Sequence, residues 1–306
     1  MTDLQAAPPV AKSDGMTFPS AKEGGSAAVW QDGAFQTANG ETRILVYNMA
    51  ESGWSDEHSE VKESMGGADH PIDLASRRWT LGQLQSHVAQ ETDSTILEIG
   101  FNDGRLLAEI GRLFPKARLI GADYVISLAQ QRLHTLQNIP LLQFDLRQAP
   151  LADGFADAIV LLNVLEHIDD DALAMRQVAR MLKPGGVAVI EVPAGSNLYD
   201  FYDAYWLHHR RYDAAMLRSL AQAAGLQVIE QTFLGSLVYP AFWLTKKISR
   251  LRFGAASDKA PEIVAKMNAN TRSSHLMAWV MAFEARMRRM IFLPFGIRYV
   301  LTCRKI

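Results

Sequence analysis

The sequence predicts an α/β protein built on a doubly wound, mostly parallel sheet, and three observations predict it. Apolar runs of strand length alternate with helical stretches between residues 71 and 233, a glycine-spaced turn follows the first buried run, and acidic residues stand at the ends of successive runs. In Thr95 to Gly104 the apolar Ile96, Leu97 and Ile99 lead into Gly100 and Gly104, and the periodic stretch Arg105 to Leu113 follows. That order reads as strand, tight loop and helix. The glycines let the backbone turn sharply and come close to a ligand, and the helix start offers unpaired N–H groups. Glu98 puts a carboxylate beside this loop, which repels a pyrophosphate and suits a cationic or hydroxyl-bearing ligand. The spacing also departs from the Gly-x-Gly-x-x-Gly of a dinucleotide site, so a nicotinamide oxidoreductase is disfavoured.

Each element follows from local pattern. Pro71 opens a helix on which Ile72, Leu74, Trp79, Leu81, Leu84 and Val88 share a face. After the first strand, Ala117 to Ala122 makes a second that ends at Asp123, Pro140 to Phe144 a third that ends at Asp145, and Asp157 to Leu162 a fourth. A helix over 170–182 stops at the breaker cluster Lys183-Pro184-Gly185-Gly186. Val187 to Val192 is a fifth strand, a helix over 214–224 is closed by Gly225, and Leu226 to Phe233 is a sixth strand. Residues 236–291 read as helical, with a basic amphipathic stretch from Trp243 to Leu251 and with Leu276, Val280, Phe283, Met287 and Met290 at helical spacing. Pro294-Phe295-Gly296 ends that region, and Arg298 to Cys303 reads as a last strand.

Composition bounds the class. The 306 residues are 48% hydrophobic, ample for a core. Cys303 is the single cysteine, which excludes a disulfide framework and fits a reducing, cytoplasmic setting. Residues 1–26 are rich in Ala, Pro, Gly, Ser and Lys and read as a flexible tail, and residues 27–75 read as an amino-terminal cap in which Thr42 to Met49 is a short strand. The longest apolar run of the carboxyl half, Phe233 to Leu244, has 12 residues and contains Pro240, too short to span a bilayer. The net charge of −2 hides a division: residues 236–306 hold 13 Lys and Arg against 3 Asp and Glu, or +10, which leaves −12 for residues 1–235. Such asymmetry suggests an anionic partner for the carboxyl part.

With these residues in view, Glu98-x-Gly100 and Gly104 resemble the first motif of the class I S-adenosylmethionine-dependent methyltransferases, acidic-x-Gly-x-Gly-x-Gly. Asn102 departs at the middle glycine, and asparagine tolerates left-handed backbone angles. The segment Leu161 to His167, ending in Leu-Glu-His, and Lys183-Pro184-Gly185-Gly186 before the fifth strand resemble further elements of that family. The resemblance covers about residues 76–235 and the last dozen. It implies a Rossmann-like sheet of seven strands, the last antiparallel between the fifth and sixth, over residues 76–235 and 295–306, with 236–294 as a basic helical insert or lid. It also implies S-adenosyl-L-methionine as cofactor, held by Arg77, Glu98, Gly100, Phe101, Asn102, Gly104, Asp123, Tyr124, Asp145, Leu146 and Asn163. Asp123 would take the ribose hydroxyls as a two-point acceptor and Asp145 the adenine amino group, while the Leu146 backbone reads the ring. For either acid taken singly, the plain alternative is a helix N-cap. Arg77 or Arg78 would bind the cofactor's carboxylate, the other lying on a solvated face.

For catalysis the sequence offers His167, His208 and His209 as bases, since histidine titrates near neutral pH. The run Leu207-His208-His209-Arg210-Arg211-Tyr212 resembles the His-Arg-Arg-Tyr element of methyltransferases of glycan and lipid-linked saccharide biosynthesis, so His208, Arg210, Arg211 and Tyr212 are acceptor candidates. The plainer reading is an ion pair with Asp213 or Asp203. Some hydroxyl methyltransferases hold a divalent ion with Glu-x-x-Glu-His, but Asn163 replaces a charged ligand here, and the expectation is no metal. Tyr47 and Trp54 in the cap could close over the acceptor or simply pack. The insert has three readings: a lid or homodimer contact, a peripheral contact with the inner membrane face, and, as the weakest, nucleic acid. The leading function is methyl transfer to an oxygen, or nitrogen, of a small or lipid-linked acceptor, a sugar among them. The alternative is a non-catalytic cofactor-binding partner subunit.

Overall fold

The computed structural model describes residues 13–21, 25–47, 70–126, 136–253, 275–288 and 290–306. Near the amino terminus, β1 (Thr17–Phe18), β2 (Ala28–Gln31), β3 (Ala34–Thr37) and β4 (Gly40–Thr42) form a four-stranded antiparallel sheet in sequential order. Asp32 and Gly33, at φ 51° and 81°, make the two-residue hairpin turn between β2 and β3. The main sheet contains β5 (Ile44–Val46), β6 (Thr95–Ile99), β7 (Arg118–Asp123), β8 (Leu141–Gln143), β9 (Ala156–Leu162), β10 (Leu182–Pro193), β11 (Leu226–Leu234) and β12 (Arg298–Lys305). Its order is β11-β12-β10-β9-β6-β7-β8-β5, and β12 alone of these runs antiparallel to both neighbours, as expected. The helices are α1 (Pro71–His87), α2 (Arg105–Leu113), α3 (Asp171–Met181), α4 (Phe201–Tyr205), α5 (Ala214–Ala223), α6 (Tyr239–Phe253) and α7 (His275–Met287).

The strands are buried on both faces, and their residues alternate between two apolar clusters. Leu97, Ile120, Leu142 and Ile159 point into a core shared with α3 and α5, while Ile96, Leu119, Leu141 and Val160 point into one shared with α1 and α2. Strand order runs one way through β6, β7 and β8 and the other way through β9 and β10, so the switch point of the topology lies between β6 and β9. A ligand crevice forms at the carboxyl ends of strands at such a point.

Three expectations are corrected. The main sheet has eight strands, because Ile44–Val46 leaves the cap and pairs in parallel with β8, covering an edge that would otherwise be open. Residues 13–21 are not a loose tail: Phe18 is fully buried against Phe35, ring centroids 5.3 Å apart, and the Ser13 hydroxyl donates to the Leu119 carbonyl. β10 begins at Leu182 instead of Val187, with the pairing register broken across Lys183 to Gly186. A Cβ on Gly186 would meet the Lys183 and Asp157 carbonyls at 2.9 and 3.0 Å, which is why glycine closes that break. Residues 1–12 and 22–24 of the expected tail, residues 48–69 of the cap with Trp54, residues 254–274 of the insert, and Arg289 lie outside the described residues.

Candidate functional site

Two loops meet at the switch point. The first follows β6, and it turns through three left-handed residues, Gly100 (φ 78°), Asn102 (φ 50°) and Gly104 (φ 75°), so Asn102 does adopt the angle expected of it. The second follows β9 at Asn163 (φ 55°). They touch closely: a Cβ on Gly100 would lie 2.4 Å from Val164 Cγ2, and the first loop also meets the segment before β8, where a Cβ on Gly104 would lie 2.6 Å from Leu136 Cδ1. Glycine at 100 is therefore demanded by backbone angle and by packing together.

Acidic groups ring this turn. The Asn102 N–H donates to Asp123 Oδ2 at 2.9 Å and the Val125 N–H to Oδ1 at 3.1 Å, tying the tip of β7 to the loop. A carboxylate oxygen accepts more than one hydrogen bond, so these amides aim Asp123 without exhausting it. Glu98 is buried, and burial first, then Asp103, Asp123 and Glu109, raise its carboxyl well above the usual range against the opposing pull of Arg77. Its Oε2 is buried with no hydrogen-bond partner among the described residues. Arg77 pairs with Glu109 at 3.3 Å, while Arg78 is exposed on the solvated face. Tyr124 is half-buried beside Asp123, and its carbonyl accepts from the Gln143 amide.

Other candidates are turned to structural ends. The Phe101 and Leu146 side chains are buried in the two cores, which leaves only their backbones for a ligand. Asp145 caps the turn after β8 by accepting from the Arg147 N–H at 2.8 Å, and it accepts from Arg147 Nε and Nη2 as well, so Arg147 engages both of its oxygens. The N-cap alternative is the one the structure shows. Asn163 donates from Nδ2 to Glu191 Oε1 at 3.0 Å. That same oxygen accepts from Arg298 Nη1 at 2.7 Å, and Arg298 also pairs with Asp73, joining β12, β10 and α1. Sequence reasoning missed this network. Its signal was Glu191 inside the apolar run Val187 to Val192, a charge that burial tolerates only with a partner.

A second group of side chains gathers beyond Val164. Glu166, buried, and His167 and His208, half-buried, bring ligand-capable atoms within 4.8 Å of one another. The two imidazoles meet edge to face with ring centroids 4.8 Å apart. This arrangement can handle a proton, and it is also one that can hold a divalent cation. Asp203 Oδ1 lies 3.1 Å from His208 Nδ1, and Asp203 also accepts from Arg211 Nε at 2.8 Å and Lys246 Nζ at 3.0 Å. Burial opposes ionisation of Asp203, but His208, Arg211 and Lys246 together hold its carboxyl well below the usual range. An ionised Asp203 accepts from Nδ1, which puts the histidine's lone pair at Nε2.

The rest of the His-Arg-Arg-Tyr run is corrected. Arg211 is buried, donating to Asp203 and the Ala194 carbonyl, and Tyr212 is fully buried with its hydroxyl on Asp171 (2.8 Å) and the Leu165 carbonyl. Neither can reach an acceptor. Arg210 pairs with Asp171 at 2.7 Å, and the His209 ring is exposed while its N–H donates to the Glu166 carbonyl. Tyr47 is buried with its hydroxyl on the Pro19 carbonyl, so it packs and does not close over a ligand.

A family model described as "Methyltransferase domain" matches residues 75–231, half of the chain and the whole span from α1 through β11's middle. The chain belongs to this methyltransferase-domain family. A "Probable S-adenosylmethionine-dependent methyltransferase" of Mycolicibacterium smegmatis is 29% identical over 138 residues, 44% of this chain and 52% of that one. The ubiquinone/menaquinone biosynthesis C-methyltransferase UbiE of Desulfotalea psychrophila is 27% identical over 163 residues, 49% of this chain and 65% of that one. The methyltransferase chain thus spans between half and two thirds of the length of these relatives. The Haemonchus contortus phosphoethanolamine N-methyltransferase 2 with S-adenosyl-L-methionine shares the fold, at TM-score 0.52 and 15% identity over 82% of this chain and 57% of that one. S-adenosylmethionine is the cofactor that goes with this family, and the residues fit it. The cradle at Gly100 admits no side chain, and the partnerless Glu98 Oε2 is suited to a cationic group.

Proposed function

We propose that the chain transfers a methyl group from S-adenosylmethionine to an oxygen of a small or lipid-linked acceptor. The observation that carries the oxygen assignment is the His167 and His208 pair, 4.8 Å between ring centroids, placed on the loop that touches Gly100 and on the segment that Asp203 anchors. A hydroxyl must lose a proton as it is methylated, and a neutral imidazole is the group for that at physiological pH. S-adenosylmethionine supplies an activated methyl with its own leaving group. Glu98 and Asp123 hold the cationic and hydroxyl-bearing parts of the bound molecule at the turn, as their acidity and position suit. His208, with Nδ1 held by Asp203, takes the acceptor's proton at Nε2, and the buried Glu166 carboxylate stabilises the cation so formed. Asn163, engaged with Glu191, shapes the loop between these two parts.

Methyl-group assays with hydroxylated acceptors, reading release of S-adenosylhomocysteine, test the proposal. His208→Gln should lower kcat by about 10²-fold or more, as expected for loss of acid–base help, with S-adenosylhomocysteine affinity unchanged by calorimetry. Tight S-adenosylhomocysteine binding with no turnover on any acceptor would instead establish the non-catalytic partner subunit. Turnover on an acidic carbon, undisturbed by His208→Gln, would move the chain to C-methylation.

A further inference from the structure

The insert was absorbed by neither the fold nor the site. We propose that α6, α7 and the turn over 290–295 form one face that docks on an anionic lipid bilayer. The docking itself stands apart from the proposed function, but the corollary that the acceptor is drawn from the bilayer rests on that reading.

The face is built as follows. α7 packs on α1 through Met277 and Met281, and its Glu284 carboxylate accepts from the Gly235 and Leu237 N–H groups. Its outer side carries Leu276, Trp279 and Phe283, 71%, 65% and 45% exposed, with Trp279 and Phe283 stacked on each other. The turn that follows exposes Met290 and Phe292. α6 starts beside this turn, Tyr239 lying against Phe295 at 5.4 Å and the Ser236 hydroxyl donating to the Phe295 carbonyl, and it exposes Trp243, Leu244 and Ile248. A soluble chain rarely leaves this many large aromatic and aliphatic side chains bare on two neighbouring stretches.

Charge selects the occupant. Of the cations behind the +10 of residues 236–306, Lys246 and Arg298 are spent in ion pairs inside the protein, while Lys247, Arg250 and Arg286 are exposed on the two helices. Lys247 stands over the Trp243 ring at 5.4 Å, and Arg286 is exposed on α7. Exposed tryptophan, phenylalanine and leucine flanked by cations are what an interfacial helix presents to acidic headgroups. No helix among the described residues is long and apolar enough to cross a membrane, so the contact is with the surface.

Position gives the contact a use. β11 runs parallel to β10, so the chain enters α6 at the same edge of the sheet as the Gly100 and Asn163 loops. Lys246 of α6 then reaches Asp200 at 2.6 Å and Asp203 at 3.0 Å, and Asp203 is the residue that holds His208. The docking face is thereby fastened to the segment that carries the acceptor-side histidine.

The experiment is co-sedimentation of the full chain with phosphatidylcholine vesicles, with and without phosphatidylglycerol, at low and high salt. Binding is expected only with phosphatidylglycerol and should weaken with salt. Lys247→Glu with Arg286→Glu should weaken partitioning on the order of thirtyfold or more, since each lost cation near an anionic surface is worth about fivefold. Trp279→Ser with Phe283→Ser should weaken it as well, and unchanged S-adenosylhomocysteine affinity in each variant shows that the fold survives. No binding to phosphatidylglycerol vesicles at low salt overturns the proposal, as does binding that both double variants retain. A concentration-dependent dimer that protects Trp279 in place of vesicle binding also overturns it. If the wild type binds vesicles but not S-adenosylhomocysteine, the methyl-transfer reading falls and the docking stands.

Discussion

Glu98 is a carboxyl held where charge is costly, and its protonation couples the site to stability. Its folded-state pKa lies above the unfolded value of about 4.3, so over that window the native state binds the proton that the unfolded chain has lost. Glu98 therefore contributes stability fully below about pH 4.3, and the contribution is lost as pH rises through the folded pKa. Glu98→Gln removes that dependence: melting temperatures measured from acid to neutral pH should fall less steeply in the variant than in the wild type. Parallel curves would place the Glu98 carboxylate in water. Asp123 has a different duty, to accept hydrogen bonds at the tip of β7. Asp123→Ala should weaken S-adenosylhomocysteine binding by about 1–3 kcal/mol, the usual loss for a charged hydrogen-bonding partner. Titration calorimetry decides it, and an unchanged affinity would remove Asp123 from the site.

At the scale of elements, the sheet and its turn were legible because they rest on local rules: unbroken apolar runs of strand length, glycine where φ is positive, acids at strand tips. The N-cap role of Asp145 and the Asp203 pairing of Arg211 stood in the sequence only as the plainer alternatives, and Tyr212's role gave no sign at all, because its partner comes from a distant part of the chain. Asp145 is taken by Arg147 two residues on, and Tyr212 by Asp171 from the far side of a crossover. Most hidden was the buried cluster of Asp200, Asp203, Arg211 and Lys246, since Lys246 reads in sequence as one more cation of a basic helix. Lys246 is in fact buried between two carboxylates and over the Tyr202 ring, at 5.0 Å. Burial lowers its pKa, and the two carboxylates push back. Lys246→Met should destabilise the chain by about 3–5 kcal/mol, because removing one partner leaves buried charge uncompensated. Chemical denaturation measures this, and a loss under about 1 kcal/mol would mean that α6 is only loosely attached.

For the molecule as a whole, the question is whether the amino-terminal sheet is an appendage or part of one folding unit. Its hairpin stands in the sequence as Asp32-Gly33, a turn signal muted by the small and polar residues around it. A single aromatic such as Phe18 gives no periodicity, yet it fills a gap between Phe35 and Phe155, the latter 6.2 Å away at the start of β9. Trp30 and Phe35 join Leu97, Ile120 and Ile159 in one apolar cluster, so the small sheet extends the main core. Phe18→Ala should then cost about 3–5 kcal/mol, as a buried phenylalanine truncation does. The variant should still melt in one transition, followed both by circular dichroism and by the release of bound S-adenosylhomocysteine. Were the small sheet independent, two transitions would appear and ligand release would follow only the upper one, at the wild-type temperature. The shared core predicts instead that both signals move down together, because a cavity at Phe18 weakens the same packing that holds β6 and β7 beneath the Gly100 turn.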